Sequence, residues 1–246
     1  MEEYYVNDEV YILEKNSPRY SFDWYGFKYK TTAHTDGGVR RIHKGYLEAV
    51  NRLGFSNKTW ENGLDWCAGD GGLGLMFLGS GKVNNISFIE PYKLALDNLY
   101  FNLENNGLDC KVFEIDNIAS LTGKYDVVFA NAPSFKFPTL RRMTDMEWLR
   151  RKDYDPITLE EALEDFHSKK PHRAIDFDWN IHKEFFKNIT NNLNPGADVI
   201  LFENADDINP LFWEWGETKL KLKKWVDNNQ IKEFTYPQVA LHFVYE

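Results

Sequence analysis

From about residue 63 the chain settles into short apolar runs separated by stretches with helical spacing. GLDWCAG is an apolar run ending in glycines, which predicts a buried strand and a tight turn. LGLMFLGSG reads as a helix, ISFIE as a second strand, and PYKLALDNLYFNLENNG as a helix with Pro91 at its start and Gly107 at its end. CKVFEID and YDVVFANAP read as third and fourth strands. Strands joined through helices of this length predict βαβ units and a parallel sheet with right-handed crossovers. After Ser134 the periodicity fades until about Asp178, a stretch too long for an ordinary connection and read as either a functional insertion or a partly disordered segment. NIHKEFFKNITNNL then reads as a helix and ADVILFEN as a fifth strand, with Asn194-Pro195-Gly196 as the turn before it. A helix is expected around Pro210 to Asp227, and a terminal hairpin in IKEFTYPQVALHFVYE with Pro237 at its turn.

The first 42 residues behave differently. SFDWYGFKYKTT reads as two short strands turning at Gly26, AHTDGGVRR as a loop, and IHKGYLEAVNRLGF as a helix that puts Ile42, Tyr46, Ala49, Val50 and Leu53 on one face before Gly54. The expected organisation is a hairpin-and-helix extension over residues 1–60, then one α/β domain over 61–246 carrying an insertion at about 135–178. The expected fold is Rossmann-like, with a mostly parallel seven-stranded sheet and a C-terminal antiparallel hairpin.

Bulk properties narrow the class. The chain has 246 residues, enough for a substantial core, and its 43% hydrophobic and 27% charged content is that of an ordinary globular protein. A formal charge of −9 argues against a protein whose main task is to coat nucleic acid. Cys67 and Cys110 read as buried thiols in a reducing compartment. The N-terminus lacks a signal-peptide layout and no apolar run is long enough to span a bilayer, so a cytoplasmic location is expected.

The chemistry concentrates at predicted strand ends. Asp65-Trp66-Cys67-Ala68-Gly69-Asp70-Gly71-Gly72-Leu73-Gly74 follows a strand and opens a helix, the context in which glycines let a ligand approach the backbone. Glu90, at the end of the second strand, is placed to accept hydrogen bonds from a ribose diol. Asp116 ends the third strand, and Asn131-Ala132-Pro133-Ser134-Phe135 ends the fourth. In an open α/β sheet the carboxyl edge is where ligands bind. Each acid alone reads as a solvated cap; with Asn131 they make four features at successive strand ends along one edge, which together point to a site.

These residues resemble the class I S-adenosylmethionine (SAM)-dependent methyltransferases from about Gly63 onward. That family has an acid and alternating glycines after its first strand; Asp65, Gly69 and Gly71 match, with Cys67 where the first glycine is usual. Glu90 matches the ribose-binding acid and Asp116 the acid near the adenine. The resemblance implies SAM and not a dinucleotide, whose pyrophosphate needs room, with Asp65 facing the sulfonium half. It implies a cofactor site lined by Asp65, Cys67, Ala68, Gly69, Gly71, Glu90, Pro91, Asp116 and Asn131.

Within the class, the chain is similar to enzymes acting on planar nitrogens, the release-factor glutamine and adenine-N6 group. These carry an Asn/Asp-Pro-Pro-Tyr/Phe loop; Asn131 and Pro133 match, Ala132 and Ser134 depart, and Phe135 falls one place late. The resemblance implies that Asn131, Pro133 and Phe135 hold the acceptor, an RNA base or a protein glutamine. An oxygen-, nitrogen- or carbon-directed enzyme for small molecules, and a silent module that keeps the fold to grip a partner, are the alternatives. Arg141-Arg142, Arg150-Arg151-Lys152 and Lys169-Lys170 with His172-Arg173 fall in the insertion and could hold a phosphate backbone. The six histidines show no metal-ligand spacing, and Lys219 to Lys224 read as surface charge on a helix.

Overall fold

The computed structural model describes residues 2–6, 9–13, 19–32, 39–133, 179–204, 219–227, 231 and 238–246. The expected loop aromatic Phe135, Pro237, and the insertion with its basic clusters lie outside the described residues.

Four amino-terminal strands, β1 (Glu2–Val6), β2 (Glu9–Leu13), β3 (Arg19–Trp24) and β4 (Phe27–Thr32), form an antiparallel sheet where one hairpin was expected. The turn is where the sequence placed it. Trp24 pairs with Phe27 across Tyr25 and Gly26, both with positive φ (47° and 88°), the two-residue loop whose twist suits a hairpin. Helix α1 (Val39–Val50) buries Tyr46, Ala49 and Val50, and a wider turn, Asn51–Phe55, follows it with Gly54 at φ 110°.

The second sheet contains β5 (Trp60–Trp66), β6 (Val83–Ile89), β7 (Val112–Phe113), β8 (Tyr125–Ala130), β9 (Leu193–Asn204), β10 (Leu220–Asp227) and β11 (Gln238–Tyr245). Their order is β10-β11-β9-β8-β5-β6-β7, parallel except for the pairs that β11 makes with β9 and β10. This is the expected Rossmann-like sheet of seven strands with a C-terminal antiparallel hairpin. Helices α2 (Gly72–Gly79), α3 (Lys93–Asn105) and α4 (Asn180–Asn188) connect its parts.

Both faces of the central strands are covered, which is why they read as continuous apolar runs. Along β8, Val127 and Phe129 join the core that contains α1, α2 and α3 residues, while Val128 and Ala130 join the core that contains α4 residues. Ile200 and Phe202 of β9 alternate with Val199 and Leu201 in the same way.

Some expectations fail. Residues 220–227 are a strand, not a helix, so Lys221, Lys223 and Lys224 lie on a sheet edge. Charged side chains, lysine above all, are how natural sheets protect an edge, and high charge density made this segment look helical. The antiparallel partners of β11 are β9 and β10. Asn194-Pro195-Gly196 does not precede the fifth strand; it is an irregularity inside β9, where pairing with β8 jumps from Tyr125↔Leu193 to Val127↔Asp198. Gly196 supplies the positive φ of 77°. The cysteines, expected to be buried thiols, are half-buried, and no disulfide joins them.

Candidate active site

The first strand carries Asp65 fully buried at its penultimate position. Its Oδ2 accepts the Gly74 N–H at 2.7 Å, tying the end of the strand to the first turn of α2. Gly74 leaves the room: a Cβ there would sit 2.4 Å from Phe88 Cε1 and 2.9 Å from Asp65 Oδ2. The second oxygen, Oδ1, is buried and has no hydrogen-bond partner among the described residues. Burial pushes the Asp65 carboxyl up, the Gly74 bond opposes this, and the Glu90 and Asp70 charges add to it, leaving it at about 8.

Between strand and helix the backbone passes through left-handed conformations at Cys67 (φ 59°), Gly69 (φ 59°) and Gly71 (φ 87°). At Gly69 an added Cβ would meet nothing within 4 Å among the described residues. Gly71 is tight on its other side, where a Cβ would fall 2.6 Å from Leu99 Cδ1. The first N–H groups of α2 have no acceptor within the helix, so the loop ends at a helix terminus suited to an anionic group.

Glu90 follows β6 directly and is nearly buried. Its Oε2 accepts the Gly69 N–H at 2.7 Å and its Oε1 the Tyr92 N–H at 2.8 Å, so it fastens the glycine loop to the start of α3. Pro91 is exposed beside it. Asp116 is exposed, three residues past the short β7, just before Asn117 caps a turn of 3₁₀ helix. Asn131 is the first residue past β8 and is exposed; Ala132 is buried and Pro133 half-buried. Because Ala130 pairs with Trp66, the register sets Asn131 level with Cys67 at the mouth of the glycine loop. The structure thus gathers Asp65, Cys67, Ala68, Gly69, Gly71, Glu90 and Asn131 at one sheet edge.

Sequence reasoning missed two groups of residues. Asp70, 3% exposed, accepts the hydroxyls of Tyr29 and Thr31 from the amino-terminal hairpin. On the opposite face, His182 Nε2 lies 3.0 Å from Glu203 Oε1, both fully buried, and Glu203 Oε2 has no hydrogen-bond partner among the described residues. Trp66 meets the His182 ring edge-on at 5.6 Å and stacks on Phe185 at 3.9 Å. A pair 21 residues apart in sequence, on a helix and a strand, leaves no local motif to read. Among the described residues no cluster of ligands suits a metal ion.

Residues 50–143 match the family model of the methyltransferase small domain, a span that contains the glycine loop, Glu90, Asp116 and Asn131. This segment is similar to that domain. S-Adenosylmethionine is the cofactor of that kind of domain, and the described residues fit it: among them, a buried carboxylate oxygen of Asp65 has no hydrogen-bond partner and suits a cationic centre, and nothing crowds Gly69. Solved methyltransferase structures share the fold of the chain. TrmN from Thermus thermophilus has 14% identity and a TM-score of 0.51, with 84% of this chain and 52% of that one covered. The T. thermophilus 16S rRNA N2 G1207 methyltransferase RsmC, in complex with AdoMet and guanosine, has 19% identity and a TM-score of 0.56, with 93% and 50% covered. The Pyrococcus abyssi tRNA (uracil-54, C5)-methyltransferase, in complex with S-adenosyl-L-homocysteine, has 10% identity and a TM-score of 0.54, with 93% and 44% covered. The chain spans about half the length of these proteins. A comparison with curated proteins returned no match. Among the described residues no helix is long and apolar enough to cross a membrane.

Proposed function

We propose that the chain transfers a methyl group from SAM to a planar nitrogen of an RNA base. The observation that carries this reading is the position of Asn131, exposed at the carboxyl end of β8 and level with the start of the glycine loop. SAM, when bound, supplies an electrophilic methyl on a sulfonium. Glu90 holds the ribose, and the terminus of α2 takes the carboxylate. Asp65 offers its unpartnered oxygen to the cationic half. A planar NH2 group has two donors, which the Asn131 side-chain oxygen and a neighbouring backbone carbonyl accept. Held this way, the nitrogen lone pair is aimed at the methyl, and most of the acceleration comes from alignment. The amine proton leaves to water after transfer, so no strong base is required.

RNA is favoured over protein glutamine because RsmC and the P. abyssi enzyme are RNA methyltransferases by name. One acts at a guanine N2 and the other at a uracil C5, so the likeness supports RNA and the Asn131 loop supports nitrogen. Residues 61–246 form the methyltransferase domain in this reading, and 1–60 an extension.

The experiment is transfer of labelled methyl from SAM to separated RNA and protein fractions, followed by nucleoside analysis. The expected product is an N-methylated nucleoside, lost with Asn131→Ala while SAM affinity is retained. Label in protein alone, or on a base carbon, overturns the assignment.

A further inference from the structure

The carboxylate of Asp70 sits in the middle of the glycine loop, where sequence alone would offer it to a ligand. The structure employs it otherwise. Tyr29 Oη donates to Oδ1 and Thr31 Oγ1 donates to Oδ2, and all three residues are buried. Both hydroxyls come from β4, on the amino-terminal sheet, outside the 50–143 span of the family match.

The hairpin reaches this backbone by two further routes, one direct and one through Asn102. Trp24 Nε1 donates to the Gly72 carbonyl at 2.9 Å. Asn102 of α3 donates to the Asp70 carbonyl at 3.0 Å and to the Lys30 carbonyl at 2.8 Å, while its own Oδ1 accepts the Lys30 N–H at 2.6 Å. Asn102 is fully buried and so welds β4, α3 and the loop into one unit. The packing is close: a Cβ on Gly79 of α2 would fall 2.2 Å from the Tyr25 carbonyl oxygen.

We propose that Tyr29 and Thr31 are positioning residues for the cofactor. The amino-terminal hairpin braces the glycine loop through Asp70, and cofactor affinity depends on that brace. The inference rests on the SAM reading of the site above. Three consecutive residues, Gly69, Asp70 and Gly71, include two with positive φ. Glycine holds such a conformation with little intrinsic preference, so something outside the loop must select it. Glu90 anchors the loop on one side through Gly69 N–H, and Asp70 is its anchor on the other. Burying Asp70 as a charge is tolerable because both oxygens receive hydroxyl donors. Without them the loop samples other arrangements, and apparent affinity falls in proportion to the fraction that remains competent.

The test compares the wild type with Tyr29→Phe, Thr31→Val, the double variant and Thr31→Ser, in the full chain. Calorimetry with SAM gives the affinity. Amide hydrogen exchange of the ligand-free protein reports the loop, read at Gly69 and Gly71 against β5 and β8. The double variant is expected to bind SAM about tenfold more weakly, the result of leaving roughly one molecule in ten competent. Its loop amides exchange faster while those of β5 and β8 are unchanged. Thr31→Ser keeps the donor and restores affinity. Each single variant weakens binding by a few-fold, so an unfolded double variant leaves the test standing on the singles. Folded Tyr29→Phe and Thr31→Val variants that bind SAM like the wild type would overturn the proposal, as would Thr31→Ser binding as poorly as Thr31→Val. If the wild type itself fails to bind SAM, the cofactor reading falls; unchanged loop exchange in the variants then sinks the brace separately.

Discussion

Asp65 turns the ligand-free protein into a reporter of its own active site. The perturbation is Asp65→Asn, which preserves the acceptor for the Gly74 N–H and removes the ionisable group. In the native state burial, together with the Glu90 and Asp70 charges, holds the carboxyl at about 8, against an ordinary value near 4 in the unfolded chain. Its contribution to stability is therefore fully present below pH 4 and is lost as pH rises toward 8. Across that window the unfolded chain has released the proton and the native state still carries it. The linkage slope is about 1.4 kcal/mol per pH unit, or about 2.7 kcal/mol between pH 5 and pH 7. Denaturant unfolding at pH 5, 6 and 7 measures this as the difference between wild type and Asp65→Asn, which cancels every other titrating group. The wild type should lose stability relative to the variant as pH rises. SAM brings a cation, favours the ionised carboxylate and displaces its proton, so wild-type affinity should climb about tenfold per unit over the same range. Asp65→Asn should bind weakly and without that slope. Parallel stability profiles for the two proteins would show that Asp65 ionises normally in the fold and would refute the reasoning.

Other outcomes follow from the same geometry. Gly74→Ala should destabilise the protein by about 1–3 kcal/mol, because its methyl collides with Phe88 and with the Asp65 carboxylate; thermal unfolding will show whether the midpoint holds. His182→Ala should cost about 3–5 kcal/mol by stranding the buried Glu203 carboxylate, and denaturant titration that finds less than about 1 kcal/mol would mean the pair carries no buried charge. Glu90→Ala removes the Gly69 anchor and, in the proposed reading, a ribose acceptor, so SAM should weaken by at least about 1.5–3 kcal/mol, measured by calorimetry.

Much of the site was legible because its determinants are local. Strand residues covered on both faces are mostly apolar, so the carboxyl halves of β5 and β6 and most of β8 and β9 announce themselves, and their ends locate Asp65, Glu90 and Asn131 without any coordinates. A loop that needs positive φ at Gly69 and Gly71 must spend glycines there, which made the strand-to-helix turn visible. The two-residue turn at Tyr25-Gly26 was legible for the same reason. Edge strands are different. β10 is covered by neighbours less fully than the central strands and carries lysines for protection, so its sequence resembles an exposed helix until β11 is seen pairing with it. Two-residue β7 is too short for any periodicity, which left Asp116 beyond the strand it was expected to end. The hydroxyls on Asp70 come from about 40 residues upstream, and Glu203 finds His182 across a helix and a strand. Sequence determined the elements and the glycine loop because backbone sterics and two-sided burial act over neighbouring residues. Only the tertiary structure decided how the buried carboxylates are used, because a charge taken out of water must find its donors wherever the fold delivers them.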